Sequence, residues 1–195
     1  MENPASLRII RDEHAALRAV LHSLVMMVDR GPGDDRDTFF DVLRTMLFYI
    51  DEYPEQRHHP KESDLLFPRV VQRVPSAMDV VQRLEHEHMN GERSVRELQH
   101  LLTGWDLVGD SRRLLFAEAA KQYVGFYLEH MRVEETAVLP LAHQCLRAED
   151  WDVLDEAFGA NQDPMVGLHP REPVYDKLFT RIVMRAPAPI GLGED

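Results

Sequence analysis

Along the first 146 positions, apolar residues recur in steps of three and four, the spacing of helices that each bury one face. The first run puts Leu7, Ile10, His14, Leu17, Leu21, Leu24 and Val28 on one seam and ends in the loop GPGDDRD. A second begins near Thr38 with Phe39, Phe40, Leu43, Met46, Leu47 and Ile50. A third starts after Pro75, a residue suited to a first helical turn, and runs through Val81, Leu84, His88, Gly91, Val95, Leu98 and Leu102. The fourth, from about Ser111, carries Phe116, Ala119, Tyr123, Phe126, His130, Glu134, Ala137 and Leu141. Four such runs joined by short loops predict an all-α bundle over residues 1–148. Beyond Arg147 the pattern shortens: EDWDVLDEAFG and VYDKLFTRIVM read as short helices around the loop DPMVGLHPREP, and APAPIGLGED is extended. Residues 149–195 are therefore expected as a C-terminal extension packed on the bundle, because Trp151, Leu154, Phe158, Phe179 and Ile182 need burial.

Polar side chains interrupt these seams in an ordered way. HHPKESDLLFP and HMRVEETAVLP both contain His, three residues, Glu, four residues, an apolar residue and Pro, giving His58, Glu62 and Pro68 and then His130, Glu134 and Pro140, each 72 positions on. Upstream of each lies a helix with one seam histidine preceded by Glu, Glu13–His14 and Glu87–His88, 74 positions apart. The chain thus reads as two helical hairpins of one plan.

Residues four apart stack on one helical face, so His58 with Glu62 and His130 with Glu134 each direct an imidazole and a carboxylate to one point. Four imidazoles and two carboxylates in a shared core would be costly without partners. Two ions with two bridging glutamates account for all six, and the donor set suits iron, manganese or zinc. With Cys145 the only cysteine, no thiolate cluster competes. Twenty-two basic against 34 acidic residues, a formal charge of −12, argue against nucleic acid and anionic membrane surfaces as partners. The N-terminus MENPASLRIIRDEH lacks the apolar core of a secretory signal and no run approaches a membrane span, so a cytoplasmic location is expected.

The second helix poses a phase problem. At about 100° per residue, an unbroken helix would put His58 roughly 80° from the stripe of Leu43, Met46 and Ile50. Pro54 and Pro60 lack amide protons and favour a bulge, so an irregularity between Tyr53 and His59 is expected to turn His58 and Glu62 into the core. The remaining histidines, His22, His59, His86, His100, His143 and His169, read as solvent-facing or locally bonded, although a one-residue shift would make His59 the ligand. Glu87, Glu92 and Glu135 read as helix-surface charges, with Glu92 one turn from His88. Tyr123 and Tyr127 read as core residues near His130. Glu55–His58 and Glu85–His88 fit a rival Glu-x-x-His pattern, which leaves His14 and His130 unexplained.

The set His14, His58-x-x-x-Glu62, His88, His130-x-x-x-Glu134, with the trailing LLFP and VLP, resembles the hemerythrin-like HHE cation-binding domains over roughly residues 5 to 146. The resemblance implies an up-down four-helix bundle (hemerythrin-like) holding a non-haem di-iron centre, with Glu62 and Glu134 as bridges and the four histidines as terminal ligands. The chain departs from the five-histidine oxygen carriers, having Leu84 and Glu92 one turn either side of His88, and is more similar to family members implicated in nitric-oxide or oxidative-stress responses and iron–sulfur repair. Three readings follow. One is a module that binds or senses oxygen, nitric oxide or a similar small ligand. Another is an enzyme acting on peroxide or oxygen or in iron–sulfur repair, with a Tyr or Glu92 handling protons, and the third is a structural bundle locked by zinc. The tail is free either to cap the bundle or to reach a second subunit in a homodimer.

Overall fold

The computed structural model describes residues 4–166 and 175–193. Among the described residues every regular element is helical. Helix α1 spans Ala5–Arg30 and buries all seven predicted seam residues. Its free N-terminal amides are met by Asp155, which accepts from Ser6 N–H at 2.7 Å. Its last carbonyls are met by the Arg113 guanidinium, 3.1 Å from Val28 O and 3.0 Å from Asp29 O. The chain then turns at Gly31, whose φ of 83° favours glycine.

The second rod begins as α2 (Arg36–Ile50), capped by Asp35, which accepts from Thr38 N–H at 3.1 Å. It then widens into a π-helix over Asp51–His58, returns to one α turn at α3 (His59–Lys61), widens again over Glu62–Leu66 and ends as α4 (Phe67–Arg73). His59 N–H bonds to Pro54 O and Phe67 N–H to Glu62 O, five residues back rather than four. The irregularity expected between Tyr53 and His59 is there. Its cause is proline: Pro54, Pro60 and Pro68 each remove a donor and crowd the carbonyl one turn earlier, so the turn opens.

Helix α5 (Met78–Val108) buries all seven residues predicted for its seam. The fourth rod is α6 (Arg113–Val133), a π turn over Glu134–Val138 that bonds Leu139 N–H to Glu134 O ahead of Pro140, and α7 (Leu139–Cys145). Here the predicted stripe needs correction. Ala120, Tyr127, Val138 and Ala142 are buried where Ala119, Phe126, Ala137 and Leu141 were expected, while Phe116, Tyr123, His130 and Glu134 hold their places. Past Glu134 the π turn shifts the helical phase by one residue. Above it, the 3- and 4-residue steps admitted two adjacent stripes.

Helices α1, α2, α5 and α6 close a ring in which each packs on its two chain neighbours, the all-α bundle predicted. Helix α8 (Ala148–Gly159) lies on α1 and buries Leu154 and Phe158; α9 (Asp176–Arg185) lies on α2 and buries Ile182. Residues 167–174, which include His169 and much of the predicted loop, lie outside the described residues. Among the described residues no helix is long and apolar enough to cross a membrane. The apolar interior is split in two. One cluster includes Leu17, Met46, Tyr53, Val95 and Met131, and the other Leu7, Ile10, Leu66, Leu84 and Val138. Between them lies a buried polar layer.

Candidate metal centre

Each rod contributes to that layer where its two apolar stretches meet: His14 on α1, His58 and Glu62 on the second rod, His88 on α5, His130 and Glu134 on the fourth. All six are buried, and both glutamates are 0% exposed. The six converge. His14 Nε2 lies 3.2 Å from His58 Nε2, and His88 Nε2 lies 3.0 Å from His130 Nε2. The glutamates span the two imidazole pairs. Glu62 reaches His58 Nε2 with Oε1 at 3.1 Å and His88 Nε2 with Oε2 at 3.5 Å. Glu134 reaches His14 Nε2 with Oε2 at 3.3 Å, and with Oε1 reaches His130 Nε2 at 3.2 Å and His88 Nε2 at 3.6 Å.

Hydrogen bonding does not account for this packing. All four oxygens of Glu62 and Glu134 are buried without a well-directed hydrogen bond. The close approaches to imidazole are contacts of position rather than aligned donor–acceptor pairs. Each Nε2 pair stands at hydrogen-bond distance, an approach that either a shared proton or a shared cation makes favourable. Cations with ligand bonds of about 2.0–2.2 Å set neighbouring donor atoms about 3 Å apart, and the observed separations of 3.0–3.6 Å match that edge. The donor set therefore fits metal cations: His14 and His58 face one side, His88 and His130 the other, and each glutamate turns one oxygen to either side.

The opposite nitrogen of every ring is also held. His58 Nδ1 meets Glu13 Oε2 at 2.6 Å, His130 Nδ1 meets Glu87 Oε2 at 2.9 Å, His14 Nδ1 meets Glu135 Oε1 at 3.0 Å, and His88 Nδ1 meets Ser63 Oγ at 2.9 Å. A carboxylate at Nδ1 fixes the proton there and leaves Nε2 as the lone-pair donor, the usual support of a metal-binding imidazole. Glu87 and Glu135 are thus not simple surface charges as expected. The repeated Glu–His dipeptide now has a physical meaning, since the Glu before each seam histidine supports the motif histidine of its own hairpin. The residue after each motif glutamate, Ser63 or Glu135, supports the seam histidine of the other hairpin.

His59 is the second correction. It is locally bonded, one of the two alternatives expected, but buried rather than solvent-facing, and its ring stacks on His88 at 4.3 Å between centroids. Its Nδ1 meets Glu55 Oε2 at 3.1 Å, a carboxylate support like those of His14, His58 and His130. His59, Glu62, His88 and His130 each offer a ligand atom within 4.8 Å of the others. The π-helical widening before α3 lets two consecutive histidines face one interior. Glu55, from the rival Glu-x-x-His pattern, lies outside the ring of six and accepts from the hydroxyls of Tyr123, at 3.0 Å, and Tyr127. A Cβ at Gly91 would overlap the Tyr127 hydroxyl, so glycine is required on α5 at this level. Glu85 is only part-buried, and Glu92 is exposed and paired with Arg96 at 2.6 Å, away from the site. His22, His86, His100 and His143 face solvent as expected.

The field of the layer is strongly negative. Burial opposes charge on His14, His58 and His130, yet the pKa of each is raised, that of His130 to about 10, by Glu134, Glu62 and the supporting carboxylates. Glu134 shows the converse: burial pushes its pKa up, but His130, His14 and His88 hold it well below the carboxylate range. His59 is driven well below its ordinary value, first by burial and then by its charged neighbours, and is neutral at pH 7. Such a pocket favours divalent cations, whose uptake must displace the imidazole protons. Beside His14 and His58 lies a cavity of about 10 Å³, walled by Leu17, Tyr53, Asn161 and Asp163, room for about one water-sized molecule.

No curated protein matches the chain. Residues 5–142, well over half its length, match the hemerythrin HHE cation-binding domain.

Proposed function

The chain belongs to the hemerythrin HHE cation-binding family, and from that premise and the geometry of the polar layer we propose a di-iron protein that binds or senses a small ligand such as oxygen or nitric oxide. The ligands in this reading are His14, His58, Glu62, His88, His130 and Glu134, with His59 as a fifth imidazole on the His88 side. When bound, the two irons supply Lewis acidity and one-electron redox chemistry. The protein contributes four donors to the first ion and five to the second, which leaves the more open side toward His14 and His58. The observation that carries the reading is the convergence of four buried imidazoles on two buried carboxylates that lack hydrogen-bond partners, with room beside His14 and His58 for about one water-sized molecule. Leu17 and Tyr53 limit water at that wall, and the buried glutamates offset part of the cations' charge.

Enzymatic turnover of oxygen or peroxide is the second reading, favoured by the Tyr123–Glu55–Tyr127 cluster on the His59 side. Metal analysis followed by stopped-flow mixing of the reduced protein with oxygen, nitric oxide and peroxide tests both. Two irons per chain and a reversible spectral change with oxygen or nitric oxide support binding. Sustained consumption of peroxide or oxygen replaces it with turnover. Two zinc ions with no response to any of the three would leave a structural bundle.

A further inference from the structure

The C-terminal extension lies beyond the matched residues 5–142, yet it reaches the polar layer. Asn161, just past α8, is 2% exposed. Its Nδ2 donates to Glu13 Oε2 at 3.0 Å, the same oxygen that His58 Nδ1 approaches at 2.6 Å. Its Oδ1 accepts from Lys61 Nζ. The carboxylates supporting the other rings are held differently: Glu135 by Arg18 at 2.6 Å and Glu87 by Arg83 at 2.7 Å, both from within the bundle and both part-exposed. Among the described residues only the support of His58 depends on the extension, and only there is the partner a buried neutral amide. Two donors converging on one oxygen pin the Glu13 carboxylate. Without the amide, Glu13 can rotate and the His58 ring loses its fixed direction.

We infer that Asn161 is a positioning residue for the cation between His14 and His58: it fixes Glu13, and through Glu13 the tautomer and aim of His58. The extension thereby tunes one ion of the pair and not the other. The inference rests on the two-ion reading above.

Metal-free full-length protein titrated with Co(II), read by calorimetry and visible absorption, tests it. Asn161→Ala is expected to weaken one of two binding steps by about ten-fold, the low end for loss of an outer partner of a metal ligand, and to leave the other step unchanged. Glu13→Gln should weaken the same step, and the double variant should lose no more than Glu13→Gln alone, because the two act through one path. Asn161→Asp, close in shape, repeats the test if the alanine variant does not fold; it places a like charge against Glu13 and should weaken that step further. Two wild-type-like steps in the Asn161 variants, an equal loss in both steps, or fully additive losses would overturn the inference and leave the two-ion reading intact. A wild-type chain that takes up no Co(II) would overturn both.

Discussion

The two helical hairpins share a plan and differ in detail, and the division between the two is informative. Every element of the candidate metal-binding layer repeats: seam His, motif His, motif Glu, the Glu–His dipeptide, and a π turn ahead of Pro68 and Pro140. The departures all affect equivalence. The position 72 residues after His59 is Met131, the position after Glu55 is Tyr127, and Ser63 stands where the second hairpin has Glu135. Three prolines and two π segments shape the second rod, against one of each in the fourth. The repeat builds a symmetric pocket, and the departures make its two sides chemically distinct.

Removing a shared element should therefore do more damage than removing one from a single side. Glu62→Ala and Glu134→Ala are each expected to leave fewer than one ion per chain, whereas His14→Ala and His130→Ala should each leave about one, by metal analysis of the purified variants. Circular dichroism should stay helical in all four, since the apolar clusters above and below the layer do not depend on it. Equal losses in the glutamate and histidine variants would break the assignment of the glutamates as bridges.

The next effect separates the sides by pH. Burial raises the Glu55 pKa from 4.5 to about 7, against the lowering pull of the Tyr127 and Tyr123 hydroxyls. The folded carboxyl keeps its proton to about pH 7, while the unfolded one loses it near 4.5, so its contribution to stability is full below 4.5 and is lost as pH rises through 7. Glu55→Gln has no such loss. Relative to wild type, the metal-free variant should gain about 2–3 kcal/mol between pH 4.5 and pH 8 in denaturant melts. A constant difference across that range would show that Glu55 does not titrate in the fold.

A smaller effect is expected where the hairpins differ in volume. Gly91 stands 74 positions after Leu17, and its missing Cβ makes room for the Tyr127 hydroxyl. Gly91→Ala should displace that phenol at a cost of about 1–3 kcal/mol, the usual range for overpacking; an unchanged thermal midpoint would mean that the ring moves freely.

These tests also mark what the sequence made legible. The seams of α1 and α5 were readable because an unbroken α-helix keeps its phase, and the six convergent residues followed from spacing plus repetition. Pro54 and Pro60 announced the first π segment. Pro140 carries the same signal for the fourth rod, where the stripe past Glu134 lies one residue on from an unbroken α-helical phase. Glu87 and Glu135 lie off their own seams, so their role appears only once the neighbouring helix is in place; the repeated Glu–His dipeptide was the available clue. His59 looked redundant beside His58 because an α-helical phase gives two adjacent residues different faces. Asn161 offered no local signal, since its partner Glu13 lies 148 positions away.

The smallest effect concerns the one supporting residue that is not a carboxylate. Ser63 Oγ lies 2.9 Å from His88 Nδ1, and a hydroxyl accepts from an imidazole N–H without adding charge, so it orients the ring but does less than Glu135 to enrich Nε2. Ser63→Ala should weaken the second of the two ions by about ten-fold, or roughly 1.4 kcal/mol, because the stacking of His88 on His59 and Phe67 holds the ring even without the hydroxyl. Glu135→Ala, which strips a full charge from His14, should weaken the first ion more. Competitive titration of the two variants against a chelator compares them directly. The order reverses if ring orientation rather than charge governs affinity, since the seam histidine held only by a neutral hydroxyl would then be the one that slackens most.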